Sequence, residues 1–350
     1  MSAEDRKTAV LIGAGMVAGT HVAACAAAAG KVRLKGVLSK RNESASSLAK
    51  AVSLKTDEHI HVYDSVGDVA TDADVDFVII TTPPNVREDI ITPLAEAGKH
   101  ILLEKPIGRT AEESRQIVQI CQNAGVMLGV VFQHRTRIAS RKAKELIDEG
   151  SMGKLAVVEI NVPWWRDQDY YDESGRGTYA RDGGGVLISQ AIHTIDLALS
   201  LSGPVSSVLA MISTSTFHSM ESEDFAVVGI EFTNGAVGSL VASTASFPGK
   251  PESITLHFEQ ASLHLEAGQL HVSLRDGSVE TFGEQASTGG GADPMAFTHE
   301  WHQDILENFV DALSGKSTSF ISGEQAMAAH EFIEATVRSA KSGSKYNLGI

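Results

Sequence analysis

The residues that most restrict this chain lie near its start. Thr8 to Ile12 form a short apolar run that breaks into Gly13-Ala14-Gly15-Met16-Val17-Ala18-Gly19, and an alanine-rich helical stretch follows. Glycines at this spacing, between a strand and a helix, are the fingerprint of a dinucleotide-binding turn. Gly13 permits the tight turn, Gly15 lets backbone amides approach a pyrophosphate, and Ala18 or Gly19 lets helix and strand pack closely. Met16 and Val17 open the helix and join the expected cofactor contacts. The competing reading is a glycine cluster that only packs a helix.

The alternation continues. Strands are expected over 34–38, 59–63, 77–80, 101–103 and 126–131, with helices between them. Strands alternating with helices predict a doubly wound parallel sheet over 1–133. Where an NAD enzyme carries an acidic residue after the second strand, this chain has Ser39-Lys40-Arg41. A hydroxyl beside two cations suits a 2′-phosphate, so NADP is favoured modestly over NAD. The loop Thr81-Thr82-Pro83-Pro84-Asn85 follows the 77–80 strand, so Thr82, Pro83 and Asn85 should line the same crevice.

The strand at 101–103 ends in Glu104-Lys105-Pro106. Pro106 steers Lys105 away from helical backbone and fixes the direction of its side chain. An ammonium at a buried strand end is costly unless the chemistry needs it. A lysine whose stem is buried and whose head is wet is the plain alternative. The strand at 126–131 ends in Phe132-Gln133-His134-Arg135.

Beyond this point strands come in runs: 155–162, 205–216, 225–232, 236–246, 253–258, 263–265 and 270–273. Helices over 139–149, 186–201, 298–314 and 323–342 accompany them, which predicts an α+β domain over 134–350 on one large, mostly antiparallel sheet. Two features stand out in it. One is Trp164-Trp165-Arg166 with Tyr170-Tyr171 and Arg176. The other is Gly183-Gly184-Gly185 ahead of a helix bearing Ser189, Gln190, His193 and Asp196. Glycines before a helix permit close approach, and free amides there favour anions. Ser189 and His193, four apart, share a helix face. Taken alone, a histidine on an apolar helix reads as a core residue.

Composition narrows the function. Lys plus Arg number 29 against 44 Asp plus Glu, a net charge of −15, which argues against nucleic acid as the main partner. No stretch approaches the roughly 18 apolar residues of a membrane span. Two cysteines, Cys25 and Cys121, offer no CxxC and no structural zinc site, and a reducing cytoplasm is expected. The histidines show no HxxxH pattern, so no metal is expected and a metal-dependent hydrolase is disfavoured.

Together these motifs resemble the Gfo/Idh/MocA family of NAD(P)-dependent sugar oxidoreductases. The matching pieces are Gly13-Ala14-Gly15, Thr82-Pro83-Pro84-Asn85, Glu104-Lys105-Pro106, Gln133-His134-Arg135 and the triple-glycine helix with His193 and Asp196. The Trp-Trp-Arg, Tyr-Tyr, Arg-Gly-Thr and Gln-Ala-Ile-His elements are similar to the branch containing UDP-N-acetylglucosaminuronate 3-dehydrogenases. The resemblance implies that Lys105 contacts substrate and nicotinamide, that His193 is the acid/base, and that Glu104 and Gln133 belong to the cofactor site. Ser189 departs from the Asp or Asn that the family often carries there, and Val86-Arg87 from a histidine common nearby. Trp165, Tyr170 and Tyr171 could face a sugar, while Arg135, Arg166 and Arg176 could hold a carboxylate or phosphate, with Ser189 and Gln190 beside them. A non-catalytic NAD(P)-binding sensor on the same fold is the main alternative, and the presence of both Lys105 and His193 speaks against it. Finally, the strand at 205–213 alternates Val208, Ala210 and Ile212 with Leu209, Met211 and Ser213, apolar or small on both faces. A half-wet sheet alternates instead, so a homodimer or homotetramer closed through this sheet is expected.

Overall fold

A computed structural model of the chain describes residues 6–56, 59–286 and 297–349. It divides into two compact units. The first comprises 1–108, 112–133 and 298–326, the second 109–111, 134–297 and 327–350.

In the first unit the order is β1 (Lys7–Ile12), α1 (Ala18–Ala27), β2 (Val32–Leu38), α2 (Asn42–Thr56), β3 (His61–Val62), α3 (Val66–Thr71) and β4 (Phe77–Ile80). It continues with α4 (Arg87–Glu96), β5 (His100–Glu104), α5 (Ala111–Asn123) and β6 (Leu128–Val131). The six strands form one parallel sheet in the order β3-β2-β1-β4-β5-β6, the doubly wound arrangement expected. β4 is buried at every position, and β1 and β5 at all but the first, as strands covered by helices on both faces must be.

The second unit follows with α6 (Ile138–Asp148), β7 (Leu155–Pro163), α7 (Gln168–Tyr171), a π-helical turn Leu187–Ala191 and α8 (Ile192–Ser202). Then come β8 (Val205–Ser213), β9 (Phe225–Phe232), β10 (Val237–Ser243), β11 (Ser253–Phe258), β12 (Ala261–Glu266), β13 (Gln269–Leu274) and β14 (Val279–Phe282). After α9 (Glu300–Leu313), which belongs to the first unit, the second ends with most of α10 (Gly323–Ser342) and β15 (Tyr346–Asn347). The nine strands run β14-β13-β12-β11-β7-β10-β9-β8-β15, antiparallel except where β7 lies beside β10. Helices α6 and α8 cover one face, where Val158, Ile160, Leu240, Val228, Leu256 and Leu263 are buried.

Three expectations are corrected. The segment 298–326 belongs to the first unit, not to the second domain. The reason is the apolar stripe of α9. Phe309 is fully buried, its ring 5.6 Å from Phe77, and Gly129 is the residue small enough to admit it, since a Cβ there would lie 2.6 Å from the Phe309 ring. Lys31 on the far side pairs with Glu307 at 3.0 Å and Asp311 at 2.9 Å. The helix expected over 186–201 starts as a π turn, so Ser189 and His193 are not spaced on an ideal α-helix. The open sheet face is not uniformly apolar. Leu209, Met211, Val237 and Val241 are exposed on β8 and β10, but β11 to β13 present His257, His264 and His271 with Thr255 and Ser262. Part of the segment 283–297, the alternative cover for that face, lies outside the described residues. Among the described residues no helix is long and apolar enough to cross a membrane.

Candidate active site

The first unit holds the expected dinucleotide turn. Gly13 has φ +109°, and a Cβ there would lie 2.6 Å from Thr81 Oγ1, so only glycine brings the ends of β1 and β4 this close. A Cβ on Gly15 would meet nothing within 4 Å, which leaves the turn open to an incoming group. α1 starts without a side-chain cap and without an acidic residue in its first turn, so its leading amides suit an anion. Met16 is exposed at this turn, and Val17 stands at the N-cap. Thr82 Oγ1 is shielded and has no hydrogen-bond partner among the described residues. Pro83 and Asn85 are exposed in the same loop, and Ser39, Lys40 and Arg41 follow β2 with both cations exposed. Gln133 is buried at the start of a short 3-10 turn. An open glycine turn, an uncapped helix and an unpaired hydroxyl fit a dinucleotide.

The end of β5 is the most heavily braced point of this unit. Glu104 does not face a ligand as expected; it is buried, and its carboxylate turns inward. His21 of α1 bonds it at 2.8 Å, and His302 of α9 lies 3.4 Å from the same oxygen. Burial alone would raise the Glu104 pKa, but these two histidines hold it well below the usual carboxylate range. The three donor atoms lie within 4.8 Å of one another, yet a 2.8 Å nitrogen–oxygen separation is that of a hydrogen bond. Arg87, also buried, donates from Nε and Nη2 to the Thr82 carbonyl at 3.0 and 2.8 Å. Its Nη1 reaches the carbonyl of Glu104 and, at 3.4 Å, that of Ile107. Burial draws the Arg87 pKa down to about 9 while Glu104 pulls it up, so it stays a cation at neutral pH. From Glu104 to Gly108 every residue is buried except Lys105, which is half-exposed.

In the second unit, His193 is buried on α8 and stacks on His134, ring centroids 5.0 Å apart and planes 26° from parallel. Behind His134, Glu252 Oε1 is 3.9 Å from its Nε2 and pairs with Arg137 at 2.7 Å. One helical turn after His193, Asp196 takes Arg135 in a bidentate grip at 2.7 and 2.6 Å. The fork expected to hold a ligand's carboxylate is therefore closed on a residue of the protein. Arg166 is likewise corrected: it is 3% exposed, bonds the Trp165 carbonyl at 2.7 Å and lies over the Trp164 and Tyr170 rings. Arg176 pairs with Glu173 at 2.8 Å, with its guanidinium 4.8 Å from the centre of the Tyr170 ring.

The triple glycine serves the protein itself. Gly185 and Leu187 donate their amides to the Glu223 carboxylate at 3.2 and 3.1 Å, and Val186 to its carbonyl at 2.8 Å. A Cβ on Gly185 would sit 1.7 Å from that carbonyl. The anion expected at this helix start is thus Glu223, which the sequence reading missed although Glu223-Asp224 directly precedes the apolar strand β9. The π turn carries Ser189 and Gln190. Gln190 Nε2 donates to the Tyr170 hydroxyl at 3.2 Å, while its buried Oε1 has no partner among the described residues. From Tyr170 a run of rings continues through Tyr171 at 5.0 Å and His218 at 4.8 Å to Trp165 at 5.8 Å. Tyr171 is buried and bonds Thr244 at 2.6 Å, and Trp165 bonds Asp167 at 3.1 Å beside the exposed Phe217 and Phe247.

A dinucleotide turn in one unit and a histidine-bearing helix lined by aromatic rings in the other are the parts of a nucleotide-dependent oxidoreductase. Comparison with known proteins agrees. Residues 7–132 match the oxidoreductase family with NAD-binding Rossmann fold, and residues 140–264 match the GFO/IDH/MocA C-terminal domain. The chain belongs to the Gfo/Idh/MocA family of oxidoreductases. It is 30% identical over 254 residues to a levoglucosan dehydrogenase of Pseudarthrobacter phenanthrenivorans, a match spanning 65% of each chain. It is 26% identical to an inositol 2-dehydrogenase of Rhizobium meliloti over 94% of this chain and 95% of that one. The WlbA dehydrogenase from Bordetella pertussis, solved with NADH and UDP-GlcNAcA, superposes with a TM-score of 0.82 at 26% identity over 99% of both chains.

Proposed function

We propose that the chain oxidises a secondary alcohol of a sugar, sugar acid, nucleotide sugar or cyclitol, with Lys105 and His193 as its catalytic residues. The observation that carries this reading is Lys105, the single unburied residue in a rigidly braced strand end beside a dinucleotide turn. Bound NAD(P) supplies the hydride acceptor. Lys105 presents a cation that stabilises a developing alkoxide, and a neutral His193 accepts the hydroxyl proton near neutral pH. Gly13, Gly15, Met16, Val17, Thr82, Pro83 and Asn85 hold the dinucleotide. Lys40 and Arg41, with no acidic residue beside them, favour NADP over NAD.

Gln190, Tyr170 and Trp165 form the substrate wall. Support for a sugar comes from the levoglucosan and inositol dehydrogenases among the relatives and from the sugar nucleotide held by WlbA. The test is turnover on a panel of aldoses, uronic acids, nucleotide sugars and inositols with each dinucleotide, read by absorbance of the reduced cofactor. Dinucleotide binding without turnover on any of them would leave a sensor as the function.

A further inference from the structure

The buried polar groups around Glu104 are costly to assemble. A buried charge network is seldom more stabilising than apolar side chains of the same volume. Here a carboxylate, two imidazoles and a guanidinium converge on one strand end in the interior of the first unit. They come from three separate places: His21 from the helix behind the glycine turn, Arg87 from the helix behind the Thr82 loop, and His302 from α9. Their targets bracket one residue. The histidines take the Glu104 side chain, and Arg87 takes the carbonyls of Glu104 and Ile107, on either side of Lys105-Pro106.

We infer that His21 and His302 are positioning residues for Lys105. By fixing Glu104 from two helices, they set the backbone from which the lysine emerges, while Arg87 fixes the same backbone from the other side. The inference rests on the proposed catalytic role of Lys105, since a lysine without that role needs no such precision.

The experiment compares Glu104→Gln, His302→Ala, His21→Ala and the donor-conserving His302→Gln with wild type and Lys105→Met in the full chain. Displacing a catalytic group by about 1 Å costs on the order of 10²-fold in rate. The alanine variants and Glu104→Gln should therefore lose turnover by up to about that factor, with substrate KM and dinucleotide affinity nearly unchanged. His302→Gln should recover part of the loss. A second readout needs no turnover: acylation of Lys105, followed by mass spectrometry at several pH values without dinucleotide, should shift its pH midpoint in the alanine variants. If these variants melt earlier but keep wild-type turnover per folded molecule and the same Lys105 labelling profile, the histidines are structural and the inference fails. Normal turnover in Lys105→Met would instead overturn the catalytic reading itself.

Discussion

Arg135 offers a quantitative test, because two roles for it lead to opposite outcomes. Its partner Asp196 is 1% exposed, and burial raises the Asp196 pKa from 3.8 to about 6 despite the pull of Arg135. A rise of about two units means that holding this carboxylate ionised costs about 3 kcal/mol. The folded pKa lies above the unfolded one, so the group's favourable contribution is full below pH 3.8 and is lost as pH rises through about 6. Arg135→Met removes the one charge that offsets burial and pushes the Asp196 pKa higher still. At about pH 5 Asp196 is largely protonated, and the variant should lose about 1 kcal/mol, the worth of its hydrogen bonds. At about pH 8 the loss should grow to as much as about 4 kcal/mol, because the wild type ionises Asp196 against Arg135 there while the variant must protonate it or bury it unpaired. Arg135→Met/Asp196→Leu should regain most of it. Urea unfolding followed by tryptophan fluorescence at the two pH values measures this. A destabilisation independent of pH, accompanied by a raised KM for a carboxylate-bearing substrate, would refute the pairing and return Arg135 to the substrate site.

Other outcomes follow from the same geometry. His193→Ala should cut turnover by roughly 10²–10⁴-fold and remove one ionisation from the pH–rate profile; an unchanged profile would make it a core residue. Replacing Lys40 and Arg41 by Ser should weaken NADP binding far more than NAD binding in fluorescence titrations, and equal losses would contradict the NADP preference. Exposed Leu209, Met211, Val237 and Val241 on β8 and β10, the two strands that flank β9, should associate with a second copy, so light scattering should give at least twice the 37.1 kDa of one chain. Met211→Glu should shift that mass downward, and a monomeric wild type would sink the idea.

The parallel sheet was legible because its strands are covered on both faces and read as unbroken apolar runs, such as Phe77-Val78-Ile79-Ile80. The glycine turn was legible because its residues act through local backbone geometry. In contrast, β14 carries Val279, Glu280, Thr281 and Phe282 with no buried position, so no period-2 signal marks it. The roles of Arg135 and Glu223 were misread or missed for one shared reason: each is set by a partner far along the chain. Asp196 lies 61 residues from Arg135, and Glu223 lies 38 from Gly185. Residue type names the chemistry a group can do, but not whether the protein has already used it. His21 left a signal that could have been read, a lone imidazole within an alanine-rich helix directly behind the glycine turn.

The burial of α9 in the first unit has a consequence for how the protein is made. Phe77 and Gly129 emerge from the ribosome early, but the Phe309 ring that fills the space between them arrives roughly 180 residues after Gly129, at a synthesis rate of about 5–20 residues per second. For that interval the nascent nucleotide unit lacks both Phe309 and His302, and the apolar surface that α9 will cover stays wet. A fragment ending at residue 133 should therefore recruit chaperones or aggregate. Supplying α9 as a separate peptide should rescue it.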